Sequence, residues 1–217
     1  MPVLTDVIQI IPPDRDEDPE DIFAAAPGLI FTDDFQNLHG DKGYTIVYKS
    51  KWGPIELKTA DPQAEGERQL FSHYLWNASI SLAERISYEG DGGNNTWFVK
   101  GERVLELGAG IGFSLSAISA DCYWMPGQHL NLVRSMLHFL TLDPCGRIYA
   151  IAGFHTGRRK LAPFFTVAVE QGLELEDIFE EDGEGNRREW QTERDGGRED
   201  PTERKKWLVI ATLKRRS

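Results

Sequence analysis

The chain has 217 residues, 40% of them hydrophobic and 27% charged, which suits one folded domain with a substantial core. A formal net charge of -11 argues against nucleic-acid backbones and anionic membranes as partners, and favours a small substrate or a basic protein segment. Cys122 and Cys145 lack the partners and spacing of a zinc site or a disulfide framework, no apolar run approaches a membrane span, and the N-terminus carries no basic signal region, so a cytoplasmic protein with no metal is expected.

In chain order, residues 1–35 read as a solvated leader with an acidic run, Asp14–Asp21, and no chemistry of their own. Tyr44–Tyr48 and Ile55–Thr59 read as two strands of a hairpin, and Pro62 closes that piece. This gives an N-terminal extension, 1–63, ahead of a second unit, 64–217. Glu65–Ser87 predicts an amphipathic helix, because Phe71, Leu75, Ala78, Leu82 and Ile86 recur at helical spacing. A loop follows at Asp91–Thr96.

Val104, Leu105 and Leu107 predict a short buried strand over 103–108. Gly108, Ala109, Gly110 and Gly112 then make a turn in which no side chain blocks the backbone, and Phe113–Ala120 can start a helix behind it. A strand, a glycine turn and a helix N-terminus present free N–H groups to a polar or anionic ligand. The dinucleotide fingerprint G-x-G-x-x-G is not met, since Phe113 stands at its third glycine position. Pro126–Leu142 then predicts a helix, Arg147–Phe154 a buried strand, Arg158–Gln171 a helix ended by Gly172, and Leu173–Glu180 a strand. An exposed charged loop, Glu181–Lys206, leads to a last strand, Trp207–Leu213.

Glu106-Leu107-Gly108-Ala109-Gly110-Ile111-Gly112 resembles the first motif of class I S-adenosylmethionine-dependent methyltransferases. Leu75-Trp76-Asn77-Ala78 is similar to a helix upstream of that motif in fungal nicotinamide N-methyltransferase-like proteins, a group related to lysine and N-terminal protein methyltransferases. Ala120–His129, Ala152–Arg158 and Arg198–Trp207 resemble later segments of the same group, so the likeness runs from about Gly43 to Arg215. It implies an α/β fold with a Rossmann-like class I methyltransferase sheet, an N-terminal β-hairpin and a helix. It also implies S-adenosyl-L-methionine as cofactor and methyl transfer to an amine or pyridine-type nitrogen of a protein or a small molecule.

The resemblance implies roles residue by residue. Gly108, Ala109 and Gly110 would line the methionine moiety, where a side chain would collide with it. Glu106 would stand beside the cofactor ammonium, Trp76 would face the sulfonium with its aromatic ring, and Ala120 would touch the adenine. Asp121, Tyr123, Trp124 and His129 would lie near the acceptor pocket, with His129 better read as a first-turn helix residue than as a base. Methyl transfer by in-line attack needs positioning and a deprotonated nucleophile, so no catalytic residue is assigned.

One departure stands out, and chain geometry detects it independently. A parallel crossover needs a dozen or more residues, and only eight lie between Gly112 and Asp121. If 118–123 is a strand, the helix before it is too short to cross a sheet. The acidic residue that holds ribose hydroxyls belongs about 20 positions past the glycine turn, and that region reads Asn131-Leu132-Val133-Arg134. The sheet is therefore expected to be shortened by loss of its second to fourth strands, with the join near Ser116–Ser119. Two functional readings follow: a methyltransferase-like protein, or a truncated non-catalytic scaffold or partner-binding remnant of that family.

Overall fold

The computed structural model describes residues 3–13, 38–40, 43–59, 74–87, 97, 99, 101, 103–107, 118–120 and 122–216. Its centre is a five-stranded sheet in the order β6-β7-β10-β8-β9. These strands are β6 (Ile118–Ala120), β7 (Ile148–Gly153), β8 (Leu173–Asp182), β9 (Arg187–Glu189) and β10 (Trp207–Arg215). β7 is buried along its whole length, as its run Ile-Tyr-Ala-Ile-Ala-Gly requires of a strand covered on both faces. β6 runs parallel to it, with Ile118 opposite Tyr149. β10 is antiparallel to both β7 and β8, so the last strand of the chain is inserted between two that run in one direction.

Alternation across the pleat divides the core in two. Tyr149, Ile151, Leu208 and Ile210 face one side, where they cluster with Leu75, Ala78, Ile80 and Leu82. Ile148, Ala150, Ala152, Val209 and Ala211 face the other, against Val133, Met136, Phe164 and Ala168. Helix α1 (Asn77–Ser87) covers the first side, while α2 (His129–Phe139) and α4 (Pro163–Glu170) cover the second. A single turn, α3 (Arg158–Leu161), precedes α4, and Pro163, which lacks an N–H, marks the break between them. The helix predicted over 126–142 stops at Phe139, because Leu140 is already extended.

The N-terminal region forms a second ladder in the order β1-β3-β4, from β1 (Ile8–Ile11), β3 (Thr45–Ser50) and β4 (Gly53–Lys58). The expected hairpin is β3 with β4, antiparallel, and Ser50 Oγ donates to Gly53 O at 2.6 Å across its turn. β1 falls where the sequence suggested a featureless leader. It forms because Ile8 and Ile10 pair with Tyr48 and Ile46, a long-range match that no local pattern announces. Leu4, Ile8, Ile46 and Tyr48 belong to the same core cluster as α1 and the central sheet.

Three further expectations are corrected. Leu75 and Trp76 do not open the helix but form β5 (Leu75–Trp76), paired with β2 (Leu38–His39). The helix therefore begins at Asn77, and residues 60–73 lie outside the described ones. α1 also buries Asn77, Ile80, Ser81 and Arg85 besides the expected stripe, since both ladders contribute to the cluster around it. Residues 118–120 are strand rather than helix, stabilised by pairing with β7. Over 103–107 only Leu107 makes a bridge, and the strand beside β7 is β6: Ile118–Ala120 take the place expected for 103–108.

Candidate functional site

In open α/β sheets ligands gather outside the carboxyl ends of the parallel strands. Here that rim is built by the ends of β6, β7 and β8. β7 hands the chain to a tight turn, Phe154–Gly157, closed by a hydrogen bond from Gly157 N to Phe154 O at 2.9 Å. Gly157 has φ +93°, a left-handed conformation that favours glycine. His155, on this turn, lies with its ring centroid 5.0 Å from that of Trp76 and the planes tilted by 34°. Trp76 is half-buried and sits at the point where β5 passes into α1.

The start of α1 is fixed from behind. His39 Nε2 donates to Asn77 Oδ1 at 2.6 Å, and both residues are buried. Burial holds the imidazole below its ordinary pKa, and the bond to Asn77 offsets this only in part. Cys122 Sγ donates to Leu107 O at 3.4 Å, so the chain leading to Gly108 meets the chain leaving β6. Glu106, half-buried, lies next to that contact.

Trp76 thus lies at the rim against His155, while Glu106 is placed by its neighbour Leu107, whose carbonyl meets Cys122 just past β6. Gly108, Ala109, Gly110 and Asp121 lie outside the described residues, and Ala120 is placed only as the last residue of β6. Tyr123 and His129 serve the core. Tyr123 is 1% exposed with its ring 4.4 Å from Phe164, and His129 Nε2 donates to Tyr123 O at 2.7 Å while its ring meets Phe164 edge-on. Trp124 is half-buried beside them. Among the described residues no cluster of His, Cys, Asp or Glu could hold a metal ion. No described helix is long and apolar enough to cross a membrane.

Sequence reading missed an ionic network behind the turn. The segment expected to be an exposed loop over 181–206 folds back as β9 and a short helix, α5 (Pro201–Lys205), and Arg188, Arg194 and Glu199 turn inward to the buried network. Arg158 forks onto Glu180 at 2.6 and 3.1 Å and onto Glu199 at 3.0 and 2.9 Å. Arg188 adds a bond to Glu180 at 2.7 Å and another to Glu199 at 3.2 Å. Burial works against the Glu180 carboxylate, yet the bonds and charges of Arg158 and Arg188 hold its pKa below the usual range. Beside it, Arg85 of α1 pairs with buried Glu181, which also accepts from Arg187 at 2.6 Å. The available sequence signal is the density of charged residues along β8 and β9, which equally describes a solvated ladder.

No family model matches this chain, and no solved structure matches it. A protein N-terminal and lysine N-methyltransferase of Schizosaccharomyces pombe is 41% identical over 68 residues, or 31% of this chain and 23% of the relative. The matched stretch thus spans less than a quarter of that relative. The mixed α/β architecture is compatible with a methyltransferase-like fold, and over those 68 residues the chain is related to a methyltransferase.

Proposed function

We propose that this chain carries an S-adenosylmethionine-dependent N-methyltransferase-type site whose acceptor is the amine of a basic protein segment, a lysine or an N-terminus. The observation that carries this reading is the rim: Trp76, where β5 passes into α1, and His155, after the end of β7, meet ring to ring. The insertion of β10 antiparallel between β7 and β8 supports it, as does the likeness to a relative named for protein N-terminal and lysine methylation.

The residues fit one end of the cofactor. Gly108, Ala109 and Gly110 leave the backbone open to a methionine moiety, Glu106 offers a carboxylate to its ammonium, and the Trp76 face suits a cation. When bound, the cofactor supplies an activated methyl group. The other end has no comparable partner. Where a ribose-binding carboxylate belongs, α2 presents Asn131, whose side chain bonds to Gln128, followed by Leu132, buried Val133 and Arg134. The reading is therefore of a site that keeps the methionine and acceptor sides and holds the nucleoside weakly. That imbalance also favours the second reading, a non-catalytic remnant that binds a partner.

A restored chain separates the two. With a family-typical segment inserted between Ser116 and Ala120, labelled methyl groups should pass from S-adenosylmethionine to a lysine-rich peptide with a free N-terminus, in preference to nicotinamide. A restored chain that binds the cofactor and labels neither acceptor supports the remnant.

A further inference from the structure

The turn at the end of β7 is held from both sides by one arginine. Arg158, directly after Gly157, is 4% exposed, and its partners Glu180 and Glu199 are 0% and 9% exposed. Its guanidinium also donates to Gln191 O at 2.7 Å, and lies 4.1 Å from the ring centroid of Phe154, the first residue of the turn. Phe154 O in turn accepts from Arg204 Nε at 3.3 Å. Both ends of Phe154–Gly157 are therefore tied to β8 and to the segment 191–204, which otherwise has little buried surface.

Burying such charges gains little stability over well-packed apolar residues, because desolvation offsets the attraction. What two bidentate forks supply is direction: a planar guanidinium shared by two carboxylates admits one orientation, and a lysine cannot reproduce it. The chain that this orientation fixes is the turn that places His155 against Trp76.

We propose that Arg158 is a positioning residue for the acceptor side of the site: through Glu180 and Glu199 it fixes the turn 154–157, and with it the His155 ring on Trp76. That the rim receives an acceptor rests on the function proposed above; the coupling of Arg158 to His155 does not.

The test is the ring proton spectrum of the five histidines in the full chain. His155 is assigned by His155→Gln, and the ring-current shift it owes to Trp76 is calibrated by Trp76→Leu. Arg158→Lys keeps the charge and loses the forks. Glu199→Gln, at the outer edge of the network, keeps shape and folding. In both variants the His155 signal should move most of the way to its position in Trp76→Leu, while His129, held between the Tyr123 carbonyl and Phe164, stays put. A His155 signal unchanged in both variants overturns the proposal. So does a joint movement of His155 and His129, which means general loosening. Adding S-adenosylhomocysteine to the chain with a family-typical segment inserted between Ser116 and Ala120 should itself move His155. No such response, alongside the variant shifts, contradicts the methyltransferase reading while upholding the role of Arg158.

Discussion

Trp76 and His155 meet ring to ring, centroids 5.0 Å apart, although one ends β5 and the other follows β7, far apart in the chain. The contact brings an aromatic face and an imidazole to the carboxyl ends of the parallel strands, where an α/β sheet binds its ligands.

The Trp76 face should distinguish a cationic cofactor from its neutral product. In the segment-restored chain, Trp76→Ala should weaken S-adenosylmethionine more than S-adenosylhomocysteine. A sulfonium over the ring contributes about 0.5–2 kcal/mol, or roughly 2- to 30-fold. Competition binding of the two ligands measures the ratio. Equal losses would assign Trp76 to packing alone.

Removing one member of the buried ionic network should be costly. Arg158→Met leaves Glu180 buried with a charge that Arg188 satisfies only in part, and such unpaired burial costs about 3–5 kcal/mol. Lys206→Met, which breaks an exposed pair with Glu203, should change stability by under about 1 kcal/mol. Urea denaturation of both variants checks the contrast. Similar small losses would show that water reaches the network.

These charges were the least legible part of the sequence. β7 and β10 announce themselves through near-continuous apolar runs, and α2 through its spacing, because each is buried by its own apolar pattern. Glu181, Arg187 and Arg188 read as an exposed loop and Glu180 as the last residue of a strand, since an inward-facing charge is recognisable only once its partner from another element is known. In the sequence Ile118–Ala120 is open between helix and strand for a similar reason: its strand character comes from pairing with β7, not from three residues of its own. The start of α1 at Asn77 likewise depends on the ladder with Leu38–His39. Of the site, Trp76 lies against His155 and Glu106 precedes the Leu107–Cys122 contact, whereas Gly108, Ala109 and Gly110 lie outside the described residues.

Two groups should shape stability against pH, in separate windows. His39 has a lowered pKa through burial, so the fold favours its neutral form. Its contribution is complete above the unfolded value near ~6.5 and falls below it by at most ~1.4 kcal/mol per pH unit. Glu180 has a pKa lowered by Arg158 and Arg188 against the effect of burial. Its contribution is complete above the unfolded value near ~4.3 and is lost as pH falls through the lowered folded value. Urea midpoints from pH 7 to 3 should show the first decline flattened in His39→Gln and the second in Glu180→Gln. A His39→Gln curve parallel to wild type between pH 6.5 and 5 would contradict the first assignment.

The central claim is a cofactor site with its methionine end kept and its ribose end lacking. Isothermal titration of the purified 217-residue chain with S-adenosylhomocysteine tests it most directly. Two buried hydrogen bonds to a carboxylate contribute on the order of 3 kcal/mol, over a hundredfold in affinity, so binding should be weak or undetectable. Inserting a family-typical segment between Ser116 and Ala120 should restore tight binding, and Gly110→Asp should abolish it again. Micromolar binding by the unmodified chain would contradict the account, because another residue would then have to hold the ribose.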